Sequence, residues 1–413
     1  MKTKLIALAL LLGVFAYSTA QPNRIGNSDV YWELTTQGND TTLHIFGTGD
    51  IPGGSNLKWK SYATAIKHVV IDEGITSICS YGMKDFINLY SVSIPNTMKI
   101  ISANAFQNDS NMTDINFPDS IYYIGSSAFD YAQLPDTLYL PASLISLQAN
   151  AFRYTKIKHI NIPQNIDTIW VSTFRFSSLS SITFPASLSQ IYRYAFDNNR
   201  LLTHITCPCM TPPALQDTTV FSNVNRGSCR LTVPAASVQI YKSTPIWQDF
   251  LIEAGDGYVV AVTSNNKASG IVQGVENRFY HAGETVTVRA ITLNNGRFGG
   301  WKSNGQTIST NATLSFKVTQ DTLITAVFEP KVPVTEVTDQ HPMLTLYPNP
   351  SHDIIHIAAG VPVKSVTIYD LSGKSIRHIT GHENIDISRL PAGIYFVKIQ
   401  TDGFTCTKKL IKL

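Results

Sequence analysis

The sequence predicts a mainly β protein: a solenoid with an N-terminal hairpin cap, then a small all-β domain, then a β-sandwich. Two observations carry this. Between residues 67 and 196 an apolar residue followed by proline returns at Ile94-Pro95, Phe117-Pro118, Leu140-Pro141, Ile162-Pro163 and Phe184-Pro185, in steps of 23, 23, 22 and 22 residues. From residue 257 the frame is replaced by short apolar-polar alternations separated by Gly, Asn and Asp. A period of roughly 20 to 30 residues with constant apolar slots marks a coil that cannot bury its own face and needs stacked neighbours. Alternation in twos marks strands with one face inward.

In chain order, residues 1–20 carry two lysines, an apolar run from Leu5 and the small residues Ser18-Thr19-Ala20. That reads as a secretory signal peptide, too short for a membrane span with flanks. Gln21, rather than a cysteine, would then lead the mature chain, which argues against a lipoprotein anchor. No other run reaches the length of a transmembrane helix, and 413 residues exceed what one hydrophobic core serves. Formal charge is +3, and loss of Lys2 and Lys4 with the signal would leave +1. Without a basic cluster nucleic acid is a poor partner. Five cysteines are too few, and odd in number, for a disulfide framework.

Residues 24–66 alternate through Val30-Tyr31-Trp32-Glu33-Leu34 and Thr41-Thr42-Leu43-His44-Ile45-Phe46 across Gln37-Gly38-Asn39-Asp40, a hairpin expected to cap the open end of the solenoid. The glycines from Gly47 to Gly54 imitate a phosphate loop. Such a loop must open a helix, and Pro52 with further glycines follows instead.

Within each coil, positions −3, −1, +3 and +6 from the proline are apolar, as in Ile160, Ile162, Ile166 and Ile169. A sixth copy fits if Asp72 takes the proline slot and Met83 the slot eleven residues on. The other coils place Phe106, Phe129, Phe152, Phe174 and Phe196 there, after Ala105, Ala128, Ala151, Thr173 and Ala195. Proline ends the strand because it has no N–H for the ladder. This pattern closely resembles the leucine-rich repeats of BspA-like bacterial surface proteins over residues 67–254. The resemblance implies a leucine-rich repeat solenoid on a secreted surface protein.

After Phe196 the repeat decays through Ile205-Thr-Cys207-Pro208 to Leu231-Thr-Val233-Pro234, and the segment ending in Trp247-Gln-Asp-Phe250 resembles the short helix and cap that finish such arrays. The family often carries cysteines here, which makes Cys207 and Cys229 a possible disulfide. Strict register sets them four residues apart along the strands, about 13 Å, too far to bond. They pair only if the intervening loop shifts the register, and otherwise stay buried thiols.

Residues 257–330 contain His281-Ala-Gly283-Glu, Phe298-Gly-Gly-Trp301 and Ala326-Val-Phe328-Glu, and resemble the divergent internalin-like B-repeat. Phe298 and Trp301 offer either a sugar-stacking surface or, as we prefer, the core that a domain of about 70 residues struggles to build. Residues 331–342 read as an exposed linker with spaced prolines. Beyond it come Leu346-Tyr-Pro348-Asn349-Pro350, then Asp370-Leu-Ser-Gly373-Lys374, then Leu390-Pro-Ala-Gly393, and a terminal Lys408-Lys409-Leu-Ile-Lys-Leu. Together these resemble the type A C-terminal sorting domain of the type IX secretion system, here 343–413. The resemblance implies partnership with that machinery and a β-sandwich tag, cut off as the passenger is joined to lipopolysaccharide at the cell surface. The cut is expected in the linker between residues 332 and 344.

No catalytic constellation emerges. His352 and His356 have zinc-helix spacing but sit at a strand, where their rings stand about 13 Å apart. Cys207-Pro-Cys209 lacks a second pair, and no Gly-x-Ser-x-Gly elbow occurs. The expectation is a non-enzymatic chain with no metal and no cofactor. Recognition is left to outward ladder positions. At +12 and +13 the coils offer Gln107, Asp130, Arg153, Arg175, Asp197 and Asn108, Tyr131, Tyr154, Phe176, Asn198. Facing water, Tyr131, Arg153, Tyr154, Arg175 and Phe176 form an aromatic stripe edged by arginine, the mixture enriched in interaction hot spots. Alternatively the rings pack on each other and stiffen the solenoid. Trp170, Tyr192, Arg193 and Tyr194 form a second candidate patch. Two functions stay open: an adhesin-like protein binding a host or bacterial protein or glycan, and a passive envelope scaffold.

Overall fold

The computed structural model describes residues 22–413 except 54–56, 295, 331–344, 350, 359–361, 371–373, 382–383, 392 and 402–404. The signal peptide, the linker with its expected cut, Pro350 and Gly373 lie outside the described residues. The chain divides into two compact units at residue 330.

In the first unit, Val30–Gln37 and Asp40–Gly47 pair antiparallel, and Gly38, at φ +61°, supplies the left-handed turn. Asp40–Gly47 then runs parallel to Ile66–Ile71, with Leu43 opposite Val69. The hairpin thus begins the solenoid sheet. Trp59 seals the junction: it is buried edge-on to Trp32 and donates its indole N–H to Gly82 O at 2.9 Å.

Each coil presents three faces. The strand before the proline builds the first sheet, in unslipped parallel register from Leu138 to Ile160, Ile182, Ile205 and Leu231. Short strands such as Ile100–Ile101 and Tyr123–Ile124 build the second. The third face is made of turns, yet it carries a backbone ladder, with Phe129 N–H on Ala151 O, Phe152 on Thr173 and Phe174 on Ala195, each at 2.9 Å. Inside it the phenylalanines stack 5.3–5.8 Å apart from Phe106 to Phe196, and Phe221 extends the column beyond the point where the sequence repeat decays.

Both sheets are interrupted once. The first stops at Asp114–Ile115 and resumes at Thr137–Tyr139; the second stops at Ser146–Leu147 and resumes at Thr168–Ile169. Among the described residues the turn ladder is the backbone ladder that crosses both gaps. At the far end, the helix Val238–Ser243 brings Tyr241 against Trp247, and Trp247 and Phe250 close over Phe221.

The domain after residue 257 packs two sheets around Val262, Val288, Trp301 and Phe328. Trp301 is wholly buried, edge-on to Phe298, and donates its N–H to Asn311 O, so this pair is core and not a sugar-stacking surface. The domain folds back onto the solenoid. Asn165, in the slot where other coils carry Ser120, Ser143 and Ser187, donates to Ala142 O and Val272 O and accepts from Val272 N–H. Gln164 donates to Val262 O at 2.7 Å, Asn277 to Asn161 Oδ1 at 3.0 Å, and Lys267 Nζ meets Asp167 at 2.6 Å.

The second unit is a β-sandwich. One sheet joins Thr345–Tyr347, Ile354–Ala358 and Asn384–Asp386; the other joins Ser375–Thr380, Val363–Tyr369, Gly393–Thr401 and Thr405–Lys412. Ile355, Ile357, Val366, Ile368, Val397 and Leu410 fill the space between. His356 lies in a strand and shares a hydrogen bond with Asn384.

Candidate functional site

The turn face is where most of the candidate recognition residues meet. Nine and thirteen residues after each proline the backbone is left-handed, and the thirteenth is Tyr131, Tyr154 or Phe176 in the central coils, with φ of +56° to +59°. A bulky side chain there costs roughly 1–2 kcal/mol. It is held by the inter-coil bonds Tyr131 N–H to Arg153 O, Tyr154 to Arg175 and Phe176 to Asp197, each 2.9 Å. The rings stack in one column, 4.2 Å from Tyr131 to Tyr154 and 4.5 Å from Tyr154 to Phe176.

The arginines fill the spaces beside the rings. Arg153 lies over Tyr131 and Tyr154, and Arg175 over Phe176 at 5.1 Å and Tyr194 at 4.6 Å. Their charges are already engaged. Arg153 forks onto both carboxylate oxygens of Asp130 at 2.8 and 2.9 Å, and Arg175 Nε meets Asp197 at 2.8 Å. Asp130 and Asp197 are buried, so their row does not face water at these two coils. The hydrogen bond that Arg153 donates to Asp130 pushes the Arg153 pKa up, countering the burial that would lower it. The signal was present in the sequence: the row runs Asp130, Arg153, Arg175, Asp197, so each of these aspartates has an arginine in the neighbouring coil.

The column bridges the sheet gaps. Tyr131 and Tyr154 join the two coils whose first sheet is broken, and Tyr154 and Phe176 the two whose second sheet is broken. Trp170 and Tyr192 stack separately at 4.9 Å, and Arg193 is exposed. Tyr194 belongs with the first column, through Arg175.

The possible Cys207–Cys229 disulfide is corrected. Both thiols are free and buried, because the register Ile205 to Leu231 is strict and leaves them offset along the strands. Cys207 instead lies 3.1 Å from the Tyr241 hydroxyl, and burial pushes the Cys229 thiol up to about 12.

In the second unit the first and last sorting landmarks come together. Asn349 donates its amide to Lys409 O at 2.7 Å and accepts Ile411 N–H at 2.8 Å, replacing one rung of sheet pairing. The Asp370 carboxylate accepts Lys374 N–H, and the Asp370 backbone N–H donates to Lys374 O, each at 3.1 Å. Gly393 begins its strand, and Lys408 and Lys409 lie in the last one. Pro348 directly precedes Asn349.

The family described as BspA type leucine rich repeat region matches six copies within residues 61–175 and 99–225. The solenoid belongs to the BspA-type leucine-rich repeats. Residues 260–332 match the divergent InlB B-repeat domain, and residues 345–413 the secretion system C-terminal sorting domain. The chain is therefore a secreted surface protein with BspA-type repeats and a type IX sorting tail, which directs it to the cell surface or the extracellular space. Among solved structures it is similar to a leucine-rich repeat protein from Bacteroides ovatus, at 14% identity, TM-score 0.39, over 59% of this chain and 71% of that one. It is similar also to a leucine-rich repeat protein from Eubacterium ventriosum, at 17% identity, TM-score 0.33, over 57% and 64%. No curated protein matches it. Among the described residues no helix is long and apolar enough to cross a membrane.

Proposed function

We propose that this is an adhesin-like, non-enzymatic surface protein that binds a host or bacterial protein or glycan through its repeats, after export by the type IX machinery. The observation that supports it most is the half-exposed column of Tyr131, Tyr154, Phe176, Arg153 and Arg175. Rings and guanidinium groups already held by stacking and buried aspartates lose little further freedom on binding. The tail is removed by a cut between residues 332 and 344, and the passenger is joined to lipopolysaccharide.

Residues 21–330 are expected to bind cells or matrix proteins, and the variant R153A/Y154A/R175A to bind less. Because losing both arginines leaves Asp130 and Asp197 buried and unpaired, the variant should also carry D130N/D197N. Equal binding by this five-fold variant rejects the face. The bridging of the sheet gaps by this same column favours a second reading, a passive envelope scaffold whose ladder serves only stiffness. A passenger that binds neither cells nor matrix above background supports it.

A further inference from the structure

The four-stranded sheet of the second unit turns one face to its core and the other to water. Alternation along its last two strands fixes what the outer face carries. In Gly393–Thr401, Tyr395, Val397 and Ile399 are buried, so Ile394, Phe396 and Lys398 point outward; in Thr405–Lys412, Leu410 is buried, so Lys409 and Ile411 do. The register sets Ile394 opposite Ile411, then Tyr369, Phe396 and Lys409 in one line across three strands, then Thr367, Lys398 and Thr407 in the next. The face is therefore graded: apolar and aromatic side chains at one end, two lysines along their border, hydroxyls beyond.

Packing of the sandwich leaves two of its features unexplained. Ile394 is 37% exposed, and Tyr369, Phe396 and Ile411 are only half-buried. Lys398 and Lys409 stand diagonally on adjacent strands, about 7–8 Å apart at the backbone, and neither has an ion pair among the described residues. Like charges set side by side on a sheet destabilise it unless something offsets them. The described carboxylates of this unit lie elsewhere, Asp353 and Asp386 beside and within the three-stranded sheet and Asp370 in a turn, where it holds Lys374 N–H.

The pattern narrows the partner. Aromatic and apolar side chains grouped together with polar groups at the border are the anatomy of a protein interface. Charges on one side only fix the direction of docking, which a fluid lipid surface cannot read. The face spans roughly 20 by 15 Å, about 300 Å² against the ~800 Å² per partner of a standard interface. That size suits a contact made and released during transport.

We propose that this outer face docks on a protein component of the type IX machinery, one whose apolar patch is bordered on one side by a pair of carboxylates. This rests on the sorting role of residues 345–413 and adds which of their surfaces is read. Recognition then falls on the face of the sheet, and the Asn349 contact serves to close the sandwich on its last strand.

The test uses the full-length chain in a cell that secretes by the type IX route, fractionated into periplasm and surface. Lys398→Glu/Lys409→Glu should lower the surface fraction about tenfold, because two like-charge contacts replace two attractive ones. Lys398→Arg/Lys409→Arg should be exported normally. Both side chains lie in water, so an unchanged melting temperature of the purified chains confirms the fold of both variants. Normal export of the glutamate pair overturns the face, and so does retention of the arginine pair. Retention of a chain lacking residues 343–413, alongside normal export of the glutamate pair, removes the face and leaves the sorting role standing; export of the truncated chain removes both. A photoreactive phenylalanine in place of Phe396 should crosslink to one outer-membrane component of the machinery, identified by mass spectrometry, and should not do so in the glutamate pair. Crosslinking to lipid, with binding to phosphatidylethanolamine vesicles containing lipid A that the glutamate pair loses, assigns the face to the membrane and overturns the protein partner.

Discussion

Asp109 shows how a single residue can oppose its own fold. It is fully buried, with Oδ1 accepting Phe86 N–H at 2.9 Å and Oδ2 without a partner among the described residues. Burial pushes its pKa well above the ordinary carboxylate range, although the Phe86 N–H pulls the other way. The folded chain therefore keeps a proton that the unfolded chain releases, and stability falls as pH rises from the ordinary value through the folded one. Asn199 occupies the same slot four coils along and donates its amide to Phe174 O and Phe196 O. Asp109→Asn should stabilise the repeat at pH 7 by about 1–3 kcal/mol, with little change near pH 3.5. Urea midpoints at the two pH values check this, and a loss of stability at pH 7 would contradict it. Nothing in the local sequence marks Asp109 as buried. The slot holds Asp109, Ala132, Thr155, Ser177 and Asn199, and its inward direction is visible only once the left-handed residue before it is known.

Among elements, the coil was the most legible, because the slots at −3, −1, +3 and +6 are apolar in six copies and the phenylalanines keep their distance from the proline. Coils of 22 and 23 residues coexist because the variable stretch lies after the phenylalanine: Met112 is six residues past Phe106, but Ile157 is five past Phe152, and both are buried. The left-handed turns were not legible, since Tyr and Phe seldom adopt that conformation. Docking of the second domain was equally hidden. Its determinants are Gln164 and Asn165, which look like ordinary turn residues until Val262 and Val272 arrive about 100 residues later. Asn165→Ala should leave Ala142 O and both backbone groups of Val272 unpaired, at a cost of about 1–3 kcal/mol. Faster amide exchange at Val272, with the solenoid core unchanged, is the expected outcome. Unchanged exchange would assign the docking to other contacts.

For the whole molecule, destination and architecture are written in different places. The solenoid determines what shape leaves the cell, and residues 345–413 determine that it leaves. Deleting residues 343–413 should therefore hold the protein in the periplasm, as read by fractionation, and arrival at the surface without them would contradict the sorting role. The sandwich was readable from its landmarks. The contact between Asn349 and the final strand was not, because about 60 residues separate its partners.

The two sheet gaps also have a mechanical side. Between Asp114–Ile115 and Thr168–Ile169 the stacked coils are missing one seam and then the other, so at each gap a single sheet and the turn ladder with its column of rings hold the coils together. Asn161, Gln164 and Asn165, the residues that grip the second domain, lie in that same stretch. The docked domain thus splints the weakest part of the rod from another face, and tension drawn along the axis opens this segment first only after the splint has let go.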